Sequence, residues 1–404
     1  MSDHTPPAAS PLEGVTVLDL ATFVAAPFCS TLLGEFGADV LKVERPGTGD
    51  DLRRLGHAPT DGPSYWWRAE SLNKKSITCD LRRPEGQQLI KRLISQTDVV
   101  AENFRPGTLE SWNLGFEDLA AINQAMVMVR ISGFGQTGPY RDRPGFGRIA
   151  AAMSGISYIS GHPDRPPVSP GTPTIPDCVA GLFGALGAML ALRHAEETGV
   201  GQVVDVALYE STLRMLAKLV PTYGATGLVR DRIGSATQYV VPHNRYQAPT
   251  ADGWPSPAPT TACFAGWSTG RWAARSDRSL PDDGGSTCEP AEVDGAVQSW
   301  VESRSASDAI ALLAAAEVLS SVVLSVADLA EDPHVGDRGA IIVREAEDGI
   351  RLLMAGIVPC LSATPGVVRE LGPVPVSAHN RDIYCGRLGL SSDDVEALER
   401  SEVI

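Results

Sequence analysis

Residues 15–44 have the sequence VTVLDLATFVAAPFCSTLLGEFGADVLKVE, and this stretch decides the fold. The run Val15–Leu20 is apolar and predicts a buried strand. Pro27 suits the first position of a helix, and Gly37 supplies its end. Residues 38–44 then predict a second strand. A β-α-β unit of this kind is the building block of a parallel sheet with helices on both faces.

The alternation of strands and helices continues beyond this unit. Further strands are predicted at residues 75–80, 98–101, 126–131 and 203–207, and helices at 84–95, 109–122, 147–153, 178–194 and 209–219. The helix at 178–194 is apolar nearly all round, which predicts that it is buried. The alternation stops near Gly224, where we expect a second domain to begin. The sequence therefore predicts an α/β fold.

The composition excludes several classes of protein. Hydrophobic residues make up 43% and charged residues 21% of the 404, as in an ordinary globular chain. The net charge of −15 makes nucleic acid a poor partner, because binding phosphates needs an excess of Lys and Arg. Seven scattered cysteines without a Cys-x-x-Cys pair predict reduced thiols in the cytoplasm. There is no apolar run of 18 residues, so no membrane partner is expected, and no pair of histidines has metal-binding spacing.

Asp177 is the candidate for chemistry. It lies where a Pro-rich loop meets the predicted apolar helix, and a helix N-terminus favours an ionised carboxylate even in a dry setting. Such a carboxylate can attack an activated acyl group. The other interpretation is an N-cap that only accepts hydrogen bonds from backbone amides, which is the commoner role of an aspartate at this position. The residue alone leaves both interpretations open.

The first β-α-β unit also invites a nucleotide interpretation. The turn at residues 22–27 has free amides that could hold a phosphate, and Glu44 could contact a ribose. The absence of a Gly-x-Gly-x-x-Gly motif disfavours a dehydrogenase. Basic residues at strand or loop ends could bind phosphates or could simply be solvated: Arg45, Lys74, Lys75, Arg105, Arg143 and Arg148.

Residues 254–288 differ from the rest of the chain. Leu280 is the one Leu, Ile, Val or Met in this window, which is rich in Pro, Ser, Arg, Ala, Gly and Trp. Neither a helical nor a strand period can be found there, and a long stretch without a pattern is unusual inside a compact domain. One hypothesis is a pair of compensating frameshifts in the gene, which resequencing would test.

Taken in order, several short motifs resemble those of the family III CoA-transferases, the group that contains formyl-CoA transferase and carnitine CoA-transferase, with 2-methylacyl-CoA racemase as a relative. The motifs are PLEG at 11–14, VLDL at 17–20, GADVLKVERP at 37–46, LNKKS at 72–76, ENFRPG at 102–107, SGFGQTGP at 132–139, PD at 176–177, GVGQ at 199–202, EDPH at 331–334 and HN at 379–380. Each is modest alone, whereas the ordered set is specific.

The resemblance implies a function. Asp177 matches the family's nucleophile, which forms an aspartyl anhydride and then an aspartyl-CoA thioester while CoA moves from an acyl-CoA to a small carboxylic acid. No metal is implied. The positions that match CoA-contacting residues are Phe23, Val24, Ala25, Arg45, Leu72, Lys75, Asn103 and Phe104. Arg45 and Lys75 would face the phosphates of CoA. Succinyl-CoA is the suggested donor, since Arg143 or Arg148 could hold a second carboxylate.

The resemblance also implies an architecture. A large Rossmann-like CoA-binding domain is expected at residues 12–224, after a loose tail at 1–11. A smaller inserted α+β domain is expected at 225–330, and the chain then returns to the large domain at 331–404. Members of the family form interlocked homodimers, so a homodimer is expected here.

Two departures from the family pattern keep alternatives open. The racemase has a His-Asp pair where this chain has Phe146 and Gly147, so an acyl-CoA racemase or isomerase, which needs a base on each side of the carbon, is disfavoured. Ser111 stands where an arginine is frequent. Together with the unusual window, this residue supports the other alternative, a catalytically impaired CoA-binding relative.

Overall fold

A computed structural model describes residues 10–172, 174–236, 241–249, 261–265, 290–346 and 348–404. The chain divides into two compact units. The first comprises the residues up to Tyr158, Ser169–Val229 and Ile342–Ile404, and the second comprises Ile159–Val168 and Arg230–Ile341. Along the chain, the second unit is therefore inserted within the first. Its main segment runs from 230 to 341, whereas the sequence predicts a small domain at 225–330.

A six-stranded parallel sheet forms the centre of the first unit. Its strands are β1 (Thr16–Asp19), β2 (Asp39–Glu44), β3 (Lys74–Thr78), β4 (Val99–Glu102), β5 (Val127–Ser132) and β6 (Val203–Ala207). They lie in the order β3-β2-β1-β4-β5-β6, and all neighbours are parallel. The predicted α/β, Rossmann-like fold is thereby confirmed. The central strands β1 and β4 are buried along their whole length and are mainly apolar, because helices cover both faces of the sheet.

The helices of the first unit follow the strands as predicted, within a few residues. They are α1 (Ala25–Glu35), α2 (Tyr65–Glu70), α3 (Pro84–Ile94), α4 (Thr108–Ser111), α5 (Phe116–Ala120), α6 (Gly147–Met153), α7 (Ile175–Thr198), α8 (Leu208–Met215) and α9 (Leu219–Thr226), with a 3₁₀ helix at Asp51–Arg54. The predicted helix at 109–122 is divided into α4 and α5, and the helix predicted at 209–219 corresponds to α8. The helices α2 and α9 were not predicted. The helix α7 begins three residues before the predicted 178, so Asp177 lies within its first turn.

The helix α7 packs closely on α1 through glycines. A Cβ at Gly181 would come within 2.6 Å of the carbonyl oxygen of Ala25, so only glycine fits there. The opposite face of α7 is exposed: Leu182, Leu186 and Leu190 are 59%, 54% and 65% exposed. The prediction of a helix buried all round was therefore wrong for this face. By length and composition α7 could cross a membrane, yet its other face is built into the helical layer on the sheet.

The C-terminal segment covers β3, which is an edge strand of the sheet. The backbone amide of His379 donates to the carbonyl oxygen of Ser76, at 2.9 Å, and the side chain of Asn380 accepts from the amide of Thr78, also at 2.9 Å. The His-Asn motif at 379–380 thus pairs with the edge of the sheet. The last helix, α14 (Ser392–Arg400), is capped by Ser391, whose hydroxyl accepts from the backbone amide of Asp394.

The second unit contains a small antiparallel sheet and helices. The strands are β7 (His243–Gln247), β8 (Thr261–Ala265) and β9 (Leu319–Val322), in that order. The helices are α10 (Pro290–Glu302), α11 (Ala306–Ala315), α12 (Val326–Glu331) and α13 (Pro333–Asp337). The strand β8 lies within residues 254–288, where no strand was predicted. The rest of that window is outside the described residues. A two-stranded sheet, β10 (Ile341–Glu345) and β11 (Arg351–Ala355), follows.

Candidate active site

The strand order places a crevice between β1 and β4. From β1 the chain progresses outward to β2 and β3, and from β4 it progresses the other way to β5 and β6. In open α/β sheets, ligands bind at the carboxyl ends of the strands where the order reverses. At this point Asn103 and Thr22 exchange two hydrogen bonds. The amide of Thr22 donates to Asn103 Oδ1 at 2.9 Å, and Asn103 Nδ2 donates to the carbonyl oxygen of Thr22 at 2.6 Å.

A pocket of about 150 Å³ opens at the same edge of the sheet. Its lining comprises Leu20, Thr22, Val43, Glu44, Arg45, Gly49, Asp50, Cys79, Asp80, Leu81, Arg82, Phe104 and Trp112. Its lining combines two arginines and two aromatic rings with three carboxylates. Phe104 and Trp112 meet edge to face, with ring centroids 5.3 Å apart. Arg45 lies 2.7 Å from Asp51, and Arg82 lies 2.8 Å from Asp80.

Six of the eight residues predicted to contact CoA lie at this edge. Arg45 and Phe104 line the pocket. Asn103 bonds to the turn after β1, and Phe23, Val24 and Ala25 form the end of that turn and the start of α1. The structure therefore brings these six together at the crevice.

Leu72 and Lys75 lie elsewhere. Leu72 precedes β3 and is buried against Met354 and Val368. Lys75 is the second residue of β3, and its Nζ is 2.7 Å from Asp39 at the start of β2. Both residues are thus at the amino end of β3, whereas the crevice is at the carboxyl end. The residues that follow β3 and line the pocket are Asp80, Leu81 and Arg82, whereas Leu72 and Lys75 are not part of its lining.

Glu44, the residue considered for a ribose contact, is already hydrogen-bonded within the protein. Both of its carboxylate oxygens accept from Arg53, at 2.6 and 2.7 Å. Arg53 also donates to the carbonyl oxygens of Pro373 and Val374 at 3.0 and 2.8 Å, and its guanidinium lies over Trp67. This pair fastens the C-terminal segment to the sheet, so the role of Glu44 is structural.

The first turn of α7 brings Asp177 to the crevice edge. Gly181 packs against Ala25 and Phe28, and Gly184 packs against Cys29, so α7 and α1 run in the same direction side by side. The N-termini of both helices therefore lie at the same end of the sheet. Asp177, one turn before Gly181, is half-buried beside the start of α1.

Burial raises the pKa of Asp177 to about 6, although a backbone hydrogen bond partly opposes the shift. From its place at a helix N-terminus, this carboxylate was predicted to stay ionised. With a pKa of about 6, roughly nine-tenths of it is ionised at pH 7. Desolvation makes the carboxylate less stable and more basic than an exposed one, which suits a nucleophile.

The cysteines near this edge do not compete with Asp177. Burial, together with the neighbouring carboxylates of Glu70 and Asp177, raises the pKa of Cys178 to about 11. Burial also raises the pKa values of Cys29 and Cys79 to about 12. A thiol rather than a thiolate therefore stands at each position at neutral pH, and the thiol is a weak nucleophile.

Sequence reasoning missed a set of buried charges below the turn after β1. Asp19, Lys42, Asp50 and Lys74 have side chains that are at most 1% exposed. Lys74 lies 2.9 Å from Asp19, and Lys42 lies 3.1 Å from Asp50 and 3.5 Å from Asp19. The sequence contains one signal of these charges, which is Lys42 in the middle of the predicted buried strand. A buried lysine needs an acidic partner, so this residue indicates buried carboxylates nearby.

Comparisons with known proteins identify the chain. The sequence profile of CoA-transferase family III matches residues 12–380. The chain belongs to CoA-transferase family III.

Relatives agree with this membership. The chain is 44% identical over 400 residues to the beta subunit of succinyl-CoA–L-malate CoA-transferase of Chloroflexus aurantiacus, covering 98% of each chain. It is 43% identical over 408 residues to succinyl-CoA–D-citramalate CoA-transferase of the same organism, covering 100% of each. The crystal structure of a CaiB/BaiF family protein from Brucella suis is similar at a TM-score of 0.81 and 30% identity, covering 94% of this chain and 99% of that one.

This CoA-transferase departs from the family's motifs at Phe146, Gly147 and Ser111. Phe146 is 69% exposed, and the buried Gly147 begins α6. Neither can act as a base. The hydroxyl of Ser111 donates to the carbonyl oxygen of Thr108 at 2.7 Å and closes a helical turn.

Arg143 and Arg148, the two candidates for binding a second carboxylate, have different surroundings. The guanidinium of Arg143 lies over the ring of Tyr140 at 3.5 Å. Arg148 lines a small crevice together with Ile175 and Pro176, the two residues before Asp177. Among residues that the structure describes, no group of three or more His, Cys, Asp or Glu is placed to hold a metal ion.

Proposed function

We propose that this CoA-transferase moves CoA from succinyl-CoA to a small dicarboxylic acid by means of Asp177. The observation that carries the proposal is the half-buried carboxylate with a pKa of about 6 at the crevice edge. The names of two relatives, which act on L-malate and D-citramalate with succinyl-CoA, support the donor and the class of acceptor. Both acceptors are hydroxy-dicarboxylic acids.

The reaction proceeds by exchange of activated acyl groups. Asp177 attacks the thioester carbonyl and expels the CoA thiolate, which leaves a mixed anhydride between Asp177 and succinate. The thiolate then attacks the aspartyl carbonyl, releasing succinate and forming an aspartyl-CoA thioester. The carboxylate of the acceptor attacks this thioester to give a second anhydride, and the thiolate finally attacks the acceptor's carbonyl. Asp177 is restored, and no net water, proton or electron is consumed.

The surroundings of Asp177 serve this chemistry in two ways. Half-burial leaves the carboxylate poorly hydrated, so less solvent must be removed before it attacks. The same dryness protects the anhydride, which water would hydrolyse. The start of α1 lies beside it, and backbone amides at a helix start stabilise negative charge that develops on a carbonyl oxygen.

CoA binds at the pocket beyond the turn. Arg45 and Arg82 are placed to receive its phosphates after releasing Asp51 and Asp80, and Phe104 offers an aromatic wall. In the motif comparison the phosphate-facing role belonged to Lys75. We assign it to Arg82 instead, because Arg82 follows β3 at the carboxyl end.

Arg148 is the candidate for holding the second carboxylate of the acid. It shares a crevice with the first turn of α7 and is exposed to solvent. A guanidinium can bind a carboxylate through two parallel hydrogen bonds. Arg143 is less suited, since its guanidinium is stacked on Tyr140.

A second copy of the chain is proposed to cover the exposed face of α7. Leu182, Leu186 and Leu190 continue this face over three turns, and Tyr223 of α9 is also 59% exposed. An exposed apolar surface of this kind marks an interface in soluble proteins. Light scattering of Leu186→Glu against the unaltered protein tests the proposed homodimer. The cytoplasmic location expected from the cysteines stays a prediction.

Hydroxylamine trapping tests the central proposal. After exposure to succinyl-CoA, the wild-type chain should form a hydroxamate at residue 177, visible by peptide mass spectrometry, and Asp177→Asn should form none. Exchange of labelled succinate into succinyl-CoA should fall at least 1,000-fold in the same variant. Undiminished exchange would exclude Asp177 as the nucleophile. Bound CoA without any adduct in the wild type would favour the catalytically impaired relative.

A pair of variants tests the CoA assignment separately. Arg82→Ala should raise the KM for succinyl-CoA about tenfold, the size expected for one charge-assisted phosphate contact. Lys75→Ala should leave this KM within twofold, because Lys75 is at the other end of β3. The reverse result would restore the original assignment of Lys75.

A further inference from the structure

The turn between β1 and α1 contains a residue in an unfavourable conformation. Phe23 has a φ of 61°, in the left-handed region that residues with a Cβ rarely adopt. The residue is 36% exposed. Conformations of this kind cost about 1–3 kcal/mol and persist only where the surroundings hold them.

Asp50, which lies in the segment after β2, is hydrogen-bonded to this turn. The backbone amide of Phe23 donates to Asp50 Oδ1 at 3.2 Å, and the same oxygen accepts from the amide of Leu52 at 2.9 Å. Asp50 is itself fixed, because its own amide donates to Glu44 Oε2 at 2.8 Å. One buried carboxylate therefore links the turn after β1 to the segment after β2.

Buried lysines complete the support. Lys42 pairs with Asp50 Oδ2 at 3.1 Å and also donates to the carbonyl oxygen of Ala21 in the turn. Asp19 accepts from Lys74 at 2.9 Å and from the amide of Ala21 at 3.1 Å. Stability alone explains such an arrangement poorly, since desolvating two ion pairs costs about as much as their attraction returns.

The turn leads directly to the part of α1 that lies beside Asp177. Within the described chain, the backbone amides of Val24, Ala25 and Ala26 have no hydrogen-bond acceptor. The backbone conformation at Phe23 determines the positions of these amide donors and of the Phe23 ring. A shift of about 1 Å in such a group can reduce a rate about 100-fold.

We propose that Asp50, supported by Lys42, is a positioning residue for CoA transfer: it holds Phe23 in the left-handed conformation and so fixes the start of α1 beside Asp177. This inference rests on the proposed function. It assigns Asp50 no contact with the reacting atoms. Replacing Asp50 is therefore expected to lower the rate of acyl transfer rather than the stability of the fold.

Three variants test the role through kinetics. Asp50→Ala removes the acceptor for the Phe23 amide, whereas Asp50→Asn keeps an oxygen at that place. The control Asn380→Ala removes a comparably buried side chain that bonds to Thr78 at the edge strand, away from the turn. We expect the kcat of Asp50→Ala to fall about 100-fold, that of Asp50→Asn to stay within tenfold and that of Asn380→Ala within twofold. The Kd for CoA of Asn380→Ala, measured by calorimetry, should change at most threefold.

Hydrogen exchange gives a readout that does not need activity. A peptide spanning residues 20–27 should exchange at least tenfold faster in Asp50→Ala than in the wild type, with the rest of the sheet unchanged. A kcat within threefold of the wild type, unchanged exchange in this peptide, or a uniform loss of protection across the first unit would each overturn the proposal. If the wild type transferred no CoA, the proposed function would be refuted instead. Hydrogen exchange would still decide whether Asp50 holds the turn.

Discussion

Replacing Asp177 with asparagine should stabilise the protein while abolishing its activity. Burial raises the pKa of Asp177 from 3.8 to about 6, so the folded state holds this proton more tightly than the unfolded chain does. Wild-type stability contributed by this group is therefore greatest below about pH 4, falls as the pH rises to about 6, and stays low above it. A shift of about two pKa units corresponds to a cost of about 3 kcal/mol for the ionised form.

Denaturation as a function of pH measures this cost. Asp177→Asn carries no charge, so its advantage over the wild type should approach about 3 kcal/mol at pH 8 and vanish near pH 4. Urea unfolding monitored by tryptophan fluorescence at several pH values gives the difference. Asp394→Asn is a control of opposite sign, because hydrogen bonds from Ser391 lower the pKa of Asp394 and its replacement should destabilise α14. A variant no more stable than the wild type at pH 8, or equally favoured at pH 4 and pH 8, would refute the reasoning.

Three further outcomes are expected. Succinyl-CoA turnover, as kcat/KM, should fall about tenfold between pH 7 and pH 5 as Asp177 is protonated, and a flat profile would contradict a carboxylate nucleophile with a pKa of about 6. Arg148→Gln should raise the KM for a dicarboxylate acceptor about tenfold but leave that for a monocarboxylate unchanged, as steady-state kinetics with both acids would show. Arg53→Met should destabilise the first unit by about 3 kcal/mol or more, because Glu44 would be left as an unpaired buried charge; a melting temperature equal to that of the wild type would argue against this support.

Much of the fold could be predicted from the sequence, because parallel strands buried on both faces have continuous apolar sequences. Strands such as Val127–Ser132 were therefore located to within a residue or two. The exposed face of α7 was not predicted. Composition shows that Leu182, Leu186 and Leu190 are apolar, but it does not show whether the chain's own residues cover them.

The candidate site could be predicted only in part. A motif fixes the order of residues along the chain, but which end of a strand a residue occupies depends on where that strand begins. Since β3 begins at Lys74, Leu72 and Lys75 lie at its amino end, and Arg82 lies at the end that faces the pocket. The role of Asp50 depends on a contact between two distant loops, and no local pattern encodes such a contact.

The return of the C-terminal segment to the sheet has a consequence for synthesis on the ribosome. The edge of β3 is covered by His379 and Asn380, about 300 residues later in the chain. Throughout translation of the intervening inserted unit, this edge has unpaired backbone groups, and such edges promote association between nascent chains. Recombinant production should therefore suffer more from slow translation or premature termination after residue 341 than from equivalent faults within the insertion's surface loops.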